Sequence, residues 1–164
     1  MRTLYHVTVF IHVFSAVVWL GGMFGLAILA PVLRRAGDPA TRQKLFQQVG
    51  RRFRTVGWIC IVLLLVTGIG QLWLRGWWGM DVLGSAAFWT TDTGRALGGK
   101  LAAVTAMLAI QAVHDFRHGP RAGTLDPTSD EARAMRKRAS LLARLNALLG
   151  VVVIWFAVAL VRGL

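Results

Sequence analysis

The chain is poor in cysteine and in acidic residues, and each scarcity excludes a class of site or partner. Cys60 is the single cysteine among 164 residues, so an internal disulfide framework and a CxxC metal motif are both excluded. Seven Asp and Glu stand against nineteen Lys and Arg, which gives a net charge of +12. Such an excess would suit nucleic acid, but the basic residues lie in short segments between apolar runs. This distribution argues against a nucleic-acid partner and in favour of a lipid bilayer.

Long apolar runs make up most of the chain, which is 55% hydrophobic with a mean hydropathy of +0.56. Four runs are long enough to cross a roughly 30 Å hydrocarbon layer as helices that rise 1.5 Å per residue. They predict an all-α integral membrane protein with one four-helix transmembrane bundle over residues 1–164. The first run is too long for a signal-peptide core and is expected to be retained. The predicted spans are 4–32, 56–74, 97–114 and 141–161.

Basic residues are distributed unevenly among the connections between these spans. The connection 33–55 carries seven Lys and Arg and the connection 115–140 carries six, whereas 75–96 carries two. By the positive-inside rule, both basic connections face the cytoplasm and both termini lie outside. The connection 75–96 also holds three tryptophans, which suit the headgroup level of the outer leaflet.

Polar and sulfur-bearing side chains recur along one line of three predicted helices. Because a helix turns about 100° per residue, a spacing of three, four or seven keeps side chains on one face. Polar groups avoid lipid, so these faces are expected to meet inside the bundle. Interhelical hydrogen bonds and packing by methionine are the alternative explanation, and the sequence leaves it open. The three lines are Tyr5, His12, Trp19 and Met23; Cys60, Thr67 and Gln71; and Lys100, Met107, Gln111 and His114.

Depth along the predicted helices orders the candidate ligands across the membrane. At 1.5 Å per residue, His12 and Lys100 lie about 7 and 10 Å outside the midplane and Met107 lies near it. Thioether and thiolate sulfur select Cu(I), and imidazole accepts either copper state. These residues predict a copper-binding ladder that requires no covalent step, and hence a binding or transport role rather than an enzyme. From outside to inside the ladder is His12, Met107, Met23, Cys60 and His114.

Haem b is the alternative cofactor, in a membrane oxidoreductase. His12 and Lys100 are nearly level, so an imidazole could ligate the iron while Lys100 pairs with a propionate. Trp19 and Gln111 complete the candidate cofactor-binding set. A bis-histidine haem needs two histidines at one depth, and His12 and His114 do not meet that requirement.

Three segments resemble a known family. Residues 89–120, WTTDTGRALGGKLAAVTAMLAIQAVHDFRHGP, resemble the signature of the copper-resistance protein D (CopD) family, in which a T-T-x-x-G-r-x-L-x-x-K-L segment opens a membrane helix. Residues 51–73 resemble the preceding helix of that family. Residues 12–25, HVFSAVVWLGGMFG, resemble the H-x(6)-W-x-G-G opening of the same superfamily. The resemblance implies a bacterial inner-membrane protein of copper uptake or tolerance, with a periplasmic copper-binding protein or a larger membrane complex as partner.

A more distant similarity connects the same superfamily to the small membrane protoporphyrinogen oxidase family (HemJ). His12 and Lys100 match a histidine and a lysine that this second family places in its first helix and at its K-L helix start. Residues 144–146 resemble its L-N-E-x-P segment, although Ala147 and Leu149 stand where that segment has Glu and Pro. For Asn146 itself, an interhelical hydrogen bond is expected.

Overall fold

The computed structural model describes residues 1–35, 37–118, 125–126 and 129–162. That part of the chain is helical with short connections and contains no β-strand. Four helices, one of them extended by a π-helical turn, are long and apolar enough to cross a membrane. The prediction of an all-α, four-helix membrane fold is therefore confirmed. The elements are α1 Arg2–Leu33, α2 Pro39–Leu74, α3 Ala86–Thr90, α4 Asp92–Val113 with its π-helical turn His114–His118, and α5 Asp130–Arg162.

Two helices begin well before the predicted spans, so much of the basic sequence expected in connections is helical. At the start of α2, Asp38 accepts hydrogen bonds from the backbone N–H groups of Ala40 and Thr41, at 2.8 and 3.0 Å. These hydrogen bonds, and above all those from Thr41, hold the pKa of the Asp38 carboxyl below its ordinary value. Pro39 at the first helical position adds a preset φ. This cap starts α2 far before residue 56, and α5 likewise starts at Asp130.

The bundle is built from two antiparallel hairpins, α1 with α2 and α4 with α5, and contacts between α1 and α5 join them. Glycines let the helices approach closely. A Cβ at Gly99 would overlap the ring of Phe156, and one at Gly150 would overlap the side chain of Leu20. In a membrane, where lipid competes equally for apolar surface, such small-residue contacts are a main source of helix association.

The two ends of the bundle differ in character. The end that carries the start of α2 and of α5 is basic and is called the inner end. At the opposite, outer end, α3 covers the start of α4, and Trp89 Nε1 donates to the carbonyl of Leu83 at 2.8 Å. A turn at residues 81–84 leads into α3. Thr91 then caps α4 by accepting from Gly94 N–H at 3.0 Å.

Labelling tests the orientation that the charge distribution predicts. In a background with Cys60→Ala, cysteine is placed at Lys44 near the start of α2 or at Asp81 in the outer connection, both exposed. A membrane-impermeant maleimide should modify the Asp81→Cys protein in intact spheroplasts, and the Lys44→Cys protein only after permeabilisation. The reverse pattern would show that the termini lie in the cytoplasm.

Candidate functional site

A network of hydrogen bonds links all four long helices in the inner half of the bundle. On α5, Asn146 Nδ2 donates to Gln111 Oε1 at 2.8 Å and contacts Met23 Sδ on α1 at 3.7 Å. Gln111 Nε2 donates to Asp115 Oδ2 at 2.7 Å, and Trp58 Nε1 of α2 donates to the same oxygen at 3.0 Å. These five residues are called the inner network. The interhelical bond expected of Asn146 is therefore present.

Asp115 is the centre of this network, and the sequence analysis was wrong to place it in a polar connection. Its side chain is 6% exposed and lies in the π-helical turn that continues α4. His114 Nδ1 lies 3.0 Å from Oδ1, and Arg54 Nη1 donates to the Asp115 carbonyl at 3.0 Å. Its spacing of four residues from Gln111 was the signal available, because that spacing puts both side chains on one helix face. A π-helical turn of this kind recurs at functional sites.

Three sulfur-bearing side chains predicted as metal ligands lie in or against one buried cluster, and one of them, Met23, also belongs to the inner network. Met107 is 2% exposed and Cys60 6%, and both belong to one buried cluster with Trp19 and Ile61. Met23 packs against that cluster. Met23, Cys60 and Met107, called the sulfur cluster, come from α1, α2 and α4. Within the described residues, no three His, Cys, Asp or Glu side chains converge, so a metal bound here would depend on the thioethers.

His12 lies nearer the outer end, between α1 and α2. Its Nδ1 is 2.8 Å from Thr67 Oγ1, and the Thr67 hydroxyl donates to the carbonyl of Leu63. Because that hydroxyl has one hydrogen, which it donates to Leu63, it is an acceptor toward His12, and this favours the tautomer with the proton on Nδ1. Nε2 is thereby left with a lone pair that can bind a metal. The ring also lies against Gly68, where a Cβ would be 3.4 Å from Cε1.

Lys100 is a charged residue that interacts electrostatically with His12. The Lys100 side chain is partly buried on α4. Its positive charge interacts with the His12 ring and is repelled by the positive charge of Arg75. Arg75 donates from Nη2 and Nε to Tyr5 Oη at 2.7 and 3.1 Å, and its guanidinium lies 5.1 Å from the centre of the Trp77 ring.

The remaining predicted site residues are divided between these regions. Trp19 packs in the core against Gly57, with Cδ1 3.5 Å from where a Cβ would lie. Gln111 uses both ends of its amide within the inner network, and His114 pairs with Asp115 at the inner end. The structure thus gathers the three sulfur residues in or against one buried cluster, couples Lys100 electrostatically to His12, and places His12 and His114 in different regions of the bundle.

Truncating Asn146 should destabilise the bundle, because Gln111 Oε1 would lose its partner inside the membrane. For Asn146→Ala we expect a loss of about 1–2 kcal/mol, the value of an interhelical polar contact in model helices. Thermal unfolding in detergent measures it. Arg144→Gln, an exposed change two residues away on α5, is the control; equal melting temperatures for the two variants would show that the network does not stabilise the fold.

Comparison with known proteins extends this picture. The model of the family described as Copper resistance protein D matches residues 47–160, which include Cys60, Lys100 and Met107 but not α1. A protein of Aquifex aeolicus (strain VF5) described as uncharacterized is 40% identical over 67 residues, or 40% of this chain and 46% of that protein. The chain thus aligns with less than half the length of this curated relative. No solved structure matches the chain.

The matched region begins inside α2 and runs almost to the end of α5, which is well over half of the chain. It therefore contains most of the inner network and two members of the sulfur cluster. Together with four helices able to cross a membrane, it defines the protein class. The chain is a multi-pass membrane protein that belongs to the copper resistance protein D family.

Proposed function

We propose that the protein binds copper as Cu(I) within the membrane and passes it across. The observation that carries this proposal is the sulfur cluster, in which Cys60 and Met107 share one buried core and Met23 packs against it from a third helix. Soft sulfur ligands select Cu(I) over harder cations. The family's connection with copper resistance supports the same cargo.

The route has a histidine at each end of the sulfur cluster. At the outer side, the free Nε2 of His12 offers one nitrogen ligand. At the inner end, His114 lies beside the Asp115 carboxylate, so an arriving cation would meet a ligand and a negative charge together. Asn146 connects the two regions, because its amide contacts Met23 Sδ and bonds to Gln111 of the inner network. An ion would therefore pass from nitrogen to sulfur to a mixed nitrogen and oxygen site.

Electrostatics at the outer end favour delivery by a protein over capture of a free ion. Lys100 interacts electrostatically with His12, and Arg75 with Lys100; positive charges in a medium of reduced dielectric repel an approaching cation. A periplasmic copper-binding protein, or a subunit of a larger membrane complex, would present the ion already ligated. Exchange between ligands would then carry the ion to His12 without a free charged intermediate.

Copper binding can be tested by replacing single ligands with residues of similar volume. Met107→Leu preserves the packing volume but removes a thioether, and Cys60→Ala removes the thiolate. Each variant should bind Cu(I) at least about tenfold more weakly, equivalent to about 1.4 kcal/mol. Competition with a Cu(I) chelator of known affinity, on purified protein in detergent, measures this.

Met80→Leu is the matched control, because Met80 is an exposed methionine in the outer connection and should leave affinity unchanged. His12→Ala should reduce transfer into vesicles more than it reduces equilibrium binding. Unaltered copper stoichiometry and affinity in both the Met107 and the Cys60 variants would remove the sulfur cluster as a copper site.

A b-type haem is the second candidate, favoured by the tautomer of His12. With Nδ1 bonded to Thr67, Nε2 of His12 would hold the haem iron, and Lys100 would pair with a propionate carboxylate. When bound, such a group would supply one-electron redox chemistry. The other two residues predicted for it do not fit, because Trp19 is packed in the core and Gln111 is committed to the inner network. The fit therefore extends to one axial ligand and one carboxylate partner.

The absorption spectrum of protein purified from haem-replete cells separates the two candidates. A bound haem would give a Soret band that His12→Ala abolishes. The same band should survive His6→Ala, since His6 is an exposed histidine on the same helix. Colourless wild-type protein would end the haem interpretation and leave copper.

A further inference from the structure

The outer end of the bundle gathers hydrogen-bond donors and positive charge without an acidic partner. Of the chain's seven acidic residues, only Asp81 and Asp92 lie on the outer side, and both are exposed. Asp92 pairs with Arg95. Neither Arg75 nor Lys100 forms an ion pair with a carboxylate of the described residues. The two cations are therefore compensated by no anion that the structure describes.

The donors share one region because of helix periodicity. Thr67, Gln71 and Arg75 follow one another at intervals of four, so they occupy one face of α2. Thr67 bonds to His12 and Arg75 bonds to Tyr5, which places that face against α1 with Gln71 between the two contacts. Lys100 on α4 is coupled electrostatically to both His12 and Arg75, so it adds a second positive charge to this region. Gln71, Arg75, Lys100 and Tyr5 are called the outer donor cluster.

The cluster contains a donor that no protein group satisfies. Gln71 Nε2 is buried and has no hydrogen-bond partner among the described residues. Tyr5 Oη accepts two bonds from Arg75, so its own O–H remains available to donate. An unsatisfied donor and two neighbouring cations are all unfavourable in a region of reduced dielectric, and one oxyanion would relieve each of them.

We propose that the outer donor cluster binds a single phosphate oxyanion. The bilayer supports this choice, because Arg75 ends the long apolar helix α2 with its guanidinium 5.1 Å from the centre of the Trp77 ring. Tryptophan side chains favour the headgroup level, where phosphates are concentrated. Lys100 lies about 10 Å from the midplane, and its long side chain can extend outward to the same level. The phosphate comes from the phosphodiester of an anionic phospholipid or from free phosphate. The proposal does not depend on copper, although a bound anion would weaken the positive barrier next to His12.

The site is tested by thermal unfolding of the purified full-length protein in detergent. Phosphatidylglycerol, phosphatidylcholine or inorganic phosphate is titrated onto wild type, Lys100→Gln, Arg75→Gln and Arg95→Gln. Phosphatidylglycerol should raise the melting temperature of wild type and Arg95→Gln to the same extent. Lys100→Gln should need about tenfold more of that lipid, as the loss of one charge-assisted hydrogen bond implies. Arg95 is the matched control because it is an exposed outer cation already paired with Asp92.

The titrations also identify the source of the phosphate. A response to phosphatidylglycerol alone assigns a lipid headgroup, and a response to inorganic phosphate in the presence of phosphatidylcholine assigns the free ion. Arg75→Gln also removes the bonds to Tyr5 and can fail to fold, so a second variant is needed. Tyr5→Phe keeps both cations and removes only the phenolic O–H donor. In native mass spectrometry this variant should retain the lipid more weakly than wild type. If wild type, Lys100→Gln and Tyr5→Phe respond alike to all three additives, the oxyanion site is wrong.

Discussion

Inside a bilayer a polar group has no water to bond with, so its partner must come from the protein. In this bundle that requirement is concentrated at Asp115, whose carboxylate accepts from Trp58 of α2 and from Gln111 of α4. Gln111 in turn accepts from Asn146 of α5, and Asn146 contacts Met23 of α1. One connected set of donors and acceptors thereby fixes the relative positions of all four long helices. Apolar packing against lipid would leave those positions much less defined.

Chemistry is separated along the membrane normal. The inner end combines carboxylate, amide and imidazole, the centre holds sulfur, and the outer end holds cationic donors. Each class of group lies where its environment suits it: uncharged, polarizable sulfur near the midplane, and charges near the two interfaces. This ordering gives a soft cation a central site that harder cations do not favour. The immediate surroundings of the two histidines also differ, with the Asp115 carboxylate beside His114 and the positive charge of Lys100 acting on His12.

The helices and their inward faces could be predicted from sequence, because hydrophobic length and a 100° rotation per residue are local properties. Which faces meet is not local. The line through Cys60, Thr67 and Gln71 is divided in the structure, with Cys60 in the sulfur cluster and Thr67 bonded to His12. The early start of α2 was missed because hydropathy says nothing of a cap, although Asp38-Pro39 carried that signal. Asp115 was missed because a carboxylate next to a basic segment resembles the end of a span.

The region matched by the family model and the segment before it contribute different ligands to the proposed copper route. Residues 47–160 supply Cys60, Met107, the carboxylate of Asp115 and both amides that connect them. The segment before that region supplies His12 and Met23, which are a nitrogen and a thioether on one face of α1. A cation bound only by the matched region would have two sulfurs and no imidazole above them. With α1 in place, Met23 adds a third sulfur and His12 a nitrogen toward the outer side.

The position of α1 is set by Thr67 at one level and Asn146 at another, so the contacts that dock the first helix are also those that orient its two candidate ligands.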